Sequence, residues 1–505
     1  MDRTRGLLLN SLTSFLQQVV ALICGLILPR LIIGHYGSTV NGTISSVTQF
    51  ISLTSLIQGG LTSAVRVAFY GPVSNHDVDK TSEVYYTSKR YYRIFSACIF
   101  LYTVFLAFLY PKFVDTGLTY YDCFLLVIVL GVSAISDSLF GIINQLLTYA
   151  DQRAYLNTSL VILVTVINTV VSVVLIREDV SIIVLKAVTV IVSFIRPAVL
   201  GVYVKKQYRL IHPKKVNHDL LKQSGAALSK SIAYFVHMNT DNIVITFFMP
   251  VKWVSVYSVH KFVFGSISTL ISSILGNTEA VFGQMIARKE NDRLKDTLPI
   301  YDLMTKIISS IFFFTTMVLI TPFVDLYTNT ITDAQYHQPV FAIIMCFAEL
   351  TYCMSLTYNN VIMAAGHIRE TQWISYGEAI INVVLSVILV NRYGIVGVGI
   401  GTLAAFIFNT VANYFYMKQH IINIRGKDIA GSYLTCLLPG MAILFLCGRF
   451  IRFSFHGYVM FFISAFAAFL VVSLSIIGVN FIFYKDELIM VYRTIKERRK
   501  PKRSE

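Results

Sequence analysis

Charged and titratable side chains occur at helical spacing inside segments that are otherwise apolar enough to cross a membrane. The clearest case is Lys230, His237 and Asp241, which lie within one apolar run. Their spacing places all three side chains on one face of a helix. Because a charge at the centre of a bilayer costs about 2.5–3.5 kcal/mol, these side chains must face protein or water rather than lipid. Residues in such a setting are typical of sites that bind ions or polar solutes within a membrane.

The same pattern forms stripes of polar or small residues along four predicted helices. On the seventh and eighth predicted spans, the stripes comprise Gln223, Ala227, Lys230, Tyr234, His237 and Asp241, and Lys261, Gly265, Ser268, Ser272, Leu275 and Glu279. On the first and second spans, they comprise Asn10, Ser14, Gln17, Ala21, Cys24 and Leu28, and Thr48, Ser52, Ser55, Gly59, Thr62 and Arg66. A water-filled cavity lined by these four spans would account for all four stripes at once.

Packing between membrane helices is the alternative explanation for the small residues, because Ala, Ser, Thr and Gly are common at such interfaces. Lys230 and Lys261 could instead extend toward opposite membrane surfaces. His237 and Asp241 are one helical turn apart and could simply hydrogen-bond to each other. The predicted spans contain further charges whose roles stay open, namely Asp137, Lys186, Arg196, Glu349 and Glu378.

The elements that carry these stripes are membrane helices. The 505 residues are 55% hydrophobic and only 14% charged, whereas soluble domains carry about 25% charged residues. About fourteen apolar runs are long enough to cross a bilayer, which takes about 20 residues. Their limits are 7–29, 40–65, 92–110, 120–149, 154–176, 181–204, 220–249, 253–285, 302–328, 338–366, 371–391, 394–417, 429–450 and 457–484. The predicted fold is an all-α polytopic membrane protein.

The net charge of +15 comes largely from short basic segments between and after these runs, such as 205–215 and 496–505. With the N-terminus inside, most Lys and Arg fall on the cytoplasmic side, which places both termini in the cytoplasm. This distribution explains the charge without nucleic acid. The first run is too long for a cleaved signal peptide, and the seven cysteines lack the spacing of a metal site.

Two halves of the chain resemble each other. The sequence Phe113–Asp115 recurs at Phe323–Asp325, and Asn168–Ser172 recurs in altered form at Asn382–Ser386. Six spans per repeat give two parallel lobes with the same orientation in the membrane. The predicted organisation is an N-terminal lobe, a basic linker, a C-terminal lobe, two further spans and a basic tail, over 1–204, 205–219, 220–418, 429–484 and 485–505.

Two segments resemble a known family. The stretch LPRLIIGHYGSTVNGTISSVTQFISLTSLIQGGLTSAVR (28–66) resembles the opening of polysaccharide-export flippases of the Wzx type, and RYGIVGVGIGTLAAFIFNTVANYFYMK (392–418) resembles their twelfth span. These flippases belong to the superfamily that includes the MATE exporters and the MurJ lipid II flippases. The resemblance covers nearly the whole chain, and it implies two MATE-like six-helix lobes followed by two C-terminal helices.

The resemblance implies that the chain moves an undecaprenyl pyrophosphate-linked oligosaccharide across the bacterial inner membrane by alternating access, for surface polysaccharide biosynthesis. Lys230 and Lys261 match the cations of the family's cavity, with Arg66 at its cytoplasmic mouth, and the last two helices match its groove for the lipid tail. The polar residues that would face the sugar are Asn10, Gln17, Thr48, Ser52, Tyr234 and Ser268. Expected partners are the polyprenyl-linked glycan, membrane lipids and other polysaccharide assembly proteins, with the chain itself a monomer.

Neither a cofactor nor an enzymatic reaction is expected. No P-loop is present, which argues against ATP, and H⁺ or Na⁺ coupling through His237, Asp241 and Glu279 is a hypothesis from their place on the stripes. The alternative function is a MATE-like H⁺- or Na⁺-coupled antiporter of drugs or metabolites. A third class, a polysaccharide polymerase or lipid-dependent glycosyltransferase, usually has a large external catalytic loop, which this sequence lacks.

Overall fold

Helices make up almost all of the part of the chain that the structure describes. The computed structural model describes residues 3–212, 239–275, 278–423, 426–450, 455 and 457–490, and no β-strand occurs in these ranges. Within them, twelve helices are long and apolar enough to cross a membrane. The predicted fold class, an all-α polytopic membrane protein, is therefore confirmed.

The chain forms two compact units. Unit 1 contains Met1–Ser258 and Thr330–Ala334, and unit 2 contains Val259–Asn329 and Gln335–Glu505. The division between the units thus falls at residue 258 along the chain, and the predicted lobe boundary in the linker 205–219 stays a prediction.

Unit 1 contains eight labelled helices and a helical segment over residues 239–248. The helices are α1 (Arg3–Ser52), α2 (Thr54–Ser74), α3 (Val78–Phe113), α4 (Tyr120–Ser136), α5 (Ile142–Ala150), α6 (Ala154–Arg177), α7 (Ile182–Ser193) and α8 (Ile195–Gln207). Side chains before α3 and α4 cap the free N–H groups of the first turn. The Asp77 carboxylate accepts from the Lys80 N–H at 2.9 Å, and the Thr119 hydroxyl accepts from the Asp122 N–H at 3.1 Å.

Three helical interruptions occur in unit 1. Gly37 kinks α1 at a φ of 87°, between the predicted first and second spans. Glycine adopts this left-handed conformation without strain. A π-helical turn, Asp137–Gly141, joins α4 to α5, and a break at Phe194 separates α7 from α8. Single π-helical turns are frequent at functional sites.

Unit 2 contains the remaining helices, apart from the first turns of α9, which belong to unit 1. They are α9 (Lys252–Leu275), α10 (Thr278–Ala287), α11 (Asn291–Tyr327), α12 (Pro339–Ala364), α13 (Gln372–Tyr393), α14 (Ile395–His420), α15 (Gly426–Phe450) and α16 (Tyr458–Phe483). Buried side chains from α10 to α14 form one apolar core, which includes Phe282, Leu298, Val361 and Met417.

The last two helices pack against α11. A Cβ atom at Gly440 would lie only 2.1 Å from the Phe314 ring, so α15 approaches α11 this closely because residue 440 is glycine. On α16, the buried Asn480 amide donates to the Thr435 carbonyl at 3.2 Å and accepts from the Thr435 hydroxyl at 2.8 Å. A paired amide of this kind fixes one membrane helix against another.

Most predicted span limits agree with the observed helices to within a few residues. In the predicted run 253–285, the described residues belong to α9, Lys252–Leu275, and α10, Thr278–Ala287. Helix α11 begins well before the predicted limit of 302. The total of about fourteen spans stays a prediction. Residues 220–238 of the seventh predicted span lie outside the described residues, and α1 covers the first predicted span and part of the second.

Candidate functional site

Three predicted site residues, Lys230, Tyr234 and His237, lie outside the residues that the structure describes. The other predicted residues are distributed over both units. In unit 1 they contribute to a buried cluster around Asp241, and in unit 2 to a second cluster around Glu349.

The Asp241 cluster consists of Asp241, Asn242, Tyr257, Gln49 and Ser52. Asp241 is only 6% exposed, and one carboxylate oxygen accepts a hydrogen bond of 2.8 Å from the Tyr257 hydroxyl. The neighbouring Asn242 amide donates to the Gln49 side chain at 3.1 Å. Gln49 in turn donates to the Ser52 hydroxyl at 3.0 Å, so that two predicted site residues, Asp241 and Ser52, belong to one polar cluster.

Two further buried hydrogen bonds continue this cluster along α1. The Asn41 amide donates to the Ser255 hydroxyl at 2.8 Å, and the hydroxyls of Ser46 and Thr246 lie 2.9 Å apart. Polar side chains that are buried among membrane helices need such partners. Together these pairs attach the second half of α1 to the segment 239–258 within unit 1.

The Glu349 cluster lies in unit 2, on α9 and α12. The Ser268 hydroxyl donates to a Glu349 carboxylate oxygen at 2.5 Å, and the Cys353 thiol lies 3.7 Å from the same hydroxyl. Lys261 is half-buried on α9, two helical turns before Ser268 and therefore on the same helix face. Two predicted site residues, Lys261 and Ser268, thus lie on one face of α9. The Glu349 carboxylate contacts this face at Ser268.

Asn10 has a clear structural role in unit 1. Its amide donates to the Gln152 carbonyl at 3.1 Å, and its oxygen accepts from the Tyr155 N–H at 2.7 Å. These contacts attach α1 to the turn before α6.

The same turn has a polar cluster of its own. Asp151 accepts from the Tyr208 hydroxyl at 2.5 Å and pairs with the Arg153 guanidinium at 3.0 Å. Burial, together with this hydrogen bond, raises the pKa of Tyr208, so its hydroxyl stays protonated and donates.

The remaining predicted residues lie apart from these clusters. Gln17 is half-buried on α1, and Thr48 is exposed near the end of the same helix. Arg66 is exposed on α2, and Glu279 is exposed at the start of α10.

An ion pair that spacing alone did not reveal lies at the interruptions of unit 1. Arg196, just after the break at Phe194, donates to the Asp137 carboxylate at 2.6 Å, and Asp137 begins the π-helical turn. In unit 2 the Glu378 carboxylate likewise has a partner, the Asn409 amide, at 2.5 Å. Two of the predicted intramembrane acids are thus paired within the protein.

An apolar groove lies between α15 and α16. Its cavity volume is about 680 Å³, and it is lined mainly by Gly431, Leu434, Leu438, Ser475, Val479 and Phe483. Leu434, Leu438 and Phe483 are more than half exposed. A groove of this composition suits a hydrocarbon chain better than a polar solute.

Metal binding finds no support in the described ranges, where no three His, Cys, Asp or Glu side chains come together in a way that could hold a metal ion.

No family model matches the sequence, and no curated protein matches it. Solved structures share its fold. The lipid II flippase MurJ in an inward closed conformation matches with a TM-score of 0.67 and 15% identity, over 95% of this chain and 100% of MurJ. The MATE multidrug transporter DinF-BH matches with a TM-score of 0.60 and 14% identity, over 83% of this chain and 96% of its own. The Vibrio cholerae MATE transporter VcmN in its bent form matches with a TM-score of 0.52 and 14% identity, over 85% of this chain and 96% of its own.

At such low identity these similarities show the fold. The protein therefore has the membrane fold that MurJ and MATE transporters share. The resemblance seen in residues 28–66 and 392–418 is confirmed at this level, and the narrower likeness to Wzx-type flippases stays a prediction.

Proposed function

We propose that the protein is a flippase that moves an undecaprenyl pyrophosphate-linked oligosaccharide across the bacterial inner membrane by alternating access. It would sit there as a multi-pass monomer with both termini in the cytoplasm. The product would supply surface polysaccharide biosynthesis, with other assembly proteins as partners. Transport, rather than an enzymatic reaction, is the activity that the fold favours.

The apolar groove between α15 and α16 is the observation that carries this proposal. The MurJ match covers 95% of the chain, whereas the DinF-BH match covers 83%. The difference, about 60 residues, is comparable in length to the whole segment that holds α15 and α16, residues 426–483. An isoprenoid tail is a long hydrocarbon, and the exposed Leu434 and Leu438 side chains offer it an apolar surface.

The cations would bind the pyrophosphate. A pyrophosphate is strongly anionic, and its interaction with an ammonium group strengthens where water is scarce. Lys261, half-buried on α9, is the described residue best suited to this role, with Lys230 and Arg66 as further candidates.

Hydroxyl and amide groups would bind the sugar. Candidates on the described helices are Gln17, Thr48, Ser52 and Ser268, with Asn10 and Tyr234 as the other predicted residues. Asn10, Ser52 and Ser268 already make hydrogen bonds within the protein, so they would have to share or exchange partners when sugar binds.

Asp241 is the proposed site of ion coupling, together with His237 and Glu279. Replacing Asp241 with Asn keeps an oxygen that can accept from Tyr257 but removes the group that takes up H⁺ or binds Na⁺. We expect Asp241→Asn to abolish the pH dependence of flipping in proteoliposomes, while Tyr257→Phe, which keeps the carboxylate, retains it. A wild-type pH profile in Asp241→Asn would exclude this residue from coupling.

Filling the groove should slow the transport of a long-chain substrate. Ser475→Trp puts a large side chain into the cavity, so the tail loses both space and van der Waals contacts. We expect flipping of the polyprenyl-linked substrate to fall about tenfold, equivalent to about 1.4 kcal/mol. The neighbouring Leu474 is 72% exposed and does not line the groove, which makes Leu474→Trp the matched control. Equal rates in the two variants would argue against a tail in this groove.

A MATE-like H⁺- or Na⁺-coupled antiporter is the second candidate. The acids Asp241 and Glu349 favour it, because a buried carboxylate suits a cationic drug or metabolite. The groove between α15 and α16 has no evident role in this function, which is why the flippase is preferred.

Deletion of the gene in its host distinguishes the two functions. A flippase predicts loss of the surface polymer, with the lipid-linked unit trapped on the cytoplasmic leaflet and rescued by the wild-type gene. Unchanged glycan together with altered sensitivity to cationic drugs would support the antiporter instead.

A further inference from the structure

A fully buried ion pair lies on α11, in a part of unit 2 to which the proposed transport steps give no role. Lys306 has 0% of its surface exposed and Asp302 only 3%. The Lys306 Nζ lies 2.5 Å from Asp302 Oδ2, one helical turn away. Because charges are costly to bury, such a pair persists only where further polar groups surround it.

Further partners of the Lys306 ammonium lie on α15. Its Nζ donates to the Ser432 hydroxyl at 2.8 Å and approaches the Ile429 carbonyl at 3.5 Å. It also lies 3.9 Å from the centroid of the Tyr433 ring, a favourable distance for a cation–π contact. One buried cation thus attaches the beginning of α15 to α11.

Three polar atoms in or beside the Asp302–Lys306 pair lack hydrogen bonds of good geometry. These are Asp302 Oδ1 and the hydroxyls of Tyr358 and Tyr433, all of them buried. The Tyr358 hydroxyl lies close to both Asp302 and Tyr433, so the three groups form a row that ends at the carboxylate. An unsatisfied carboxylate oxygen in such a place is a strong acceptor that a proton would satisfy.

The same part of α15 borders the apolar groove. The residues of this part that line the groove are Gly431, Leu434 and Thr435. They alternate along the helix with Ile429 and Ser432, which contact Lys306. Thr435 is in turn bonded to Asn480 of α16. A shift of α15 relative to α11 would therefore change the groove.

We infer that Asp302, Lys306, Tyr358 and Tyr433 form a buried proton-binding site whose occupancy sets how firmly α15 is held against α11. A proton taken up from water binds a carboxylate oxygen of Asp302. No covalent bond between heavy atoms changes, and the charge of the site rises by one. The effect of this proton on a lipid tail in the groove rests on the proposed function, whereas the proton site itself does not.

Protonation would loosen α15. Once Asp302 is neutral, the Lys306 ammonium has no counter-charge left among the described residues, because the other titratable groups there that face the pair are neutral: Tyr358 from α12 and Tyr433 and Cys436 from α15. A buried ammonium without a counter-ion favours states in which it reaches water. Such a state requires α15 to move away from α11.

Infrared difference spectroscopy on the purified full-length protein in lipid nanodiscs tests the proton site, with no substrate present. Acidification should produce a carboxylic acid C=O band in the wild-type protein that is lost in Asp302→Asn and kept in Asp292→Asn, which replaces an exposed carboxylate on the same helix. Because Asp302→Asn leaves Lys306 unpaired, the double variant Asp302→Asn/Lys306→Gln serves as the charge-neutral second variant that should also lack the band. A band of unchanged size in both Asp302 variants would overturn the proposal.

Spin-label distances test the link to α15. Labels are attached to cysteines at the exposed positions Leu434 on α15 and Val340 on α12, with Cys24, Cys98 and Cys447 replaced by Ser. The distance should lengthen over the same pH range as the band in the wild-type background, and stay constant in Asp302→Asn/Lys306→Gln. A distance that does not change with pH in the wild-type background would overturn the proposed link between the proton and the position of α15. Neither measurement uses a glycolipid, so both test the proton site independently of the flippase proposal, which the gene deletion tests.

Discussion

Transport of the lipid-linked oligosaccharide should fall about 10²–10⁴-fold when Lys230 and Lys261 are both replaced with alanine. Hydrogen bonds to charged groups contribute about 1.5–3 kcal/mol each. Loss of two such bonds to the pyrophosphate therefore removes about 3–6 kcal/mol, at about 1.4 kcal/mol per factor of ten. The measurement is the initial flipping rate in proteoliposomes that contain equal amounts of inserted protein.

The controls for this double variant separate charge from position. Lys230→Arg/Lys261→Arg keeps both cations and should retain most of the activity, since a guanidinium also binds phosphate oxygens. Lys295→Ala removes an exposed lysine on α11 and should leave transport unchanged. A wild-type rate for the alanine double variant, with normal insertion, would remove the cationic cavity from the mechanism.

Helix positions could be predicted from the sequence because the signal is local. An apolar run of sufficient length must form a helix in lipid, where every backbone polar group needs a partner within the segment. This is why predicted limits such as 154–176 and 457–484 lie close to those of α6 and α16. The π-helical turn and the break at Phe194 lie inside predicted spans, where the apolar pattern continues unchanged, so the sequence did not indicate them. The kink at Gly37, in contrast, falls between two predicted spans.

Side-chain pairing was far less predictable than the helices. Asp241 and its stripe were evident from spacing, but its partner Tyr257 lies on another helix, and a tyrosine among apolar residues carries no distinct signal. Arg196 and Asp137 were each recognised as intramembrane charges, yet nothing in the sequence links two positions so far apart. Asn10 was assigned to the sugar by its stripe, and its contacts with the turn before α6 depend on tertiary structure alone.

The Asp302–Lys306 pair shows why a local pattern can mislead. Opposite charges four residues apart near a predicted span limit are typical of an exposed pair at a helix end, which contributes little. The helix in fact begins at Asn291, and the pair is buried, with Ile429 and Ser432 of α15 against Lys306. Burial by a helix more than a hundred residues later in the chain therefore changes a weak surface pair into a costly internal one.

Removing Lys306 alone should be more damaging than removing both charges. Lys306→Met leaves the buried Asp302 carboxylate without its counter-ion, and breaking a buried pair in this way costs about 3–5 kcal/mol of the free energy of unfolding. Asp302→Asn/Lys306→Gln leaves no charge behind, and we expect it to lose less than half as much. Denaturant unfolding of the purified protein in detergent, followed by size-exclusion chromatography, measures the difference.

The outcome of that comparison separates two roles for the pair. If the double variant is as unstable as Lys306→Met, the hydrogen bonds and ring contact that Lys306 makes with α15 carry the stability, and the charge on Asp302 matters little. If the double variant is nearly as stable as the wild type, the carboxylate is held ionised at a cost that only Lys306 offsets. When such a carboxylate takes up a proton, its attraction to Lys306 is lost. This is the change that a proton-controlled attachment of α15 requires.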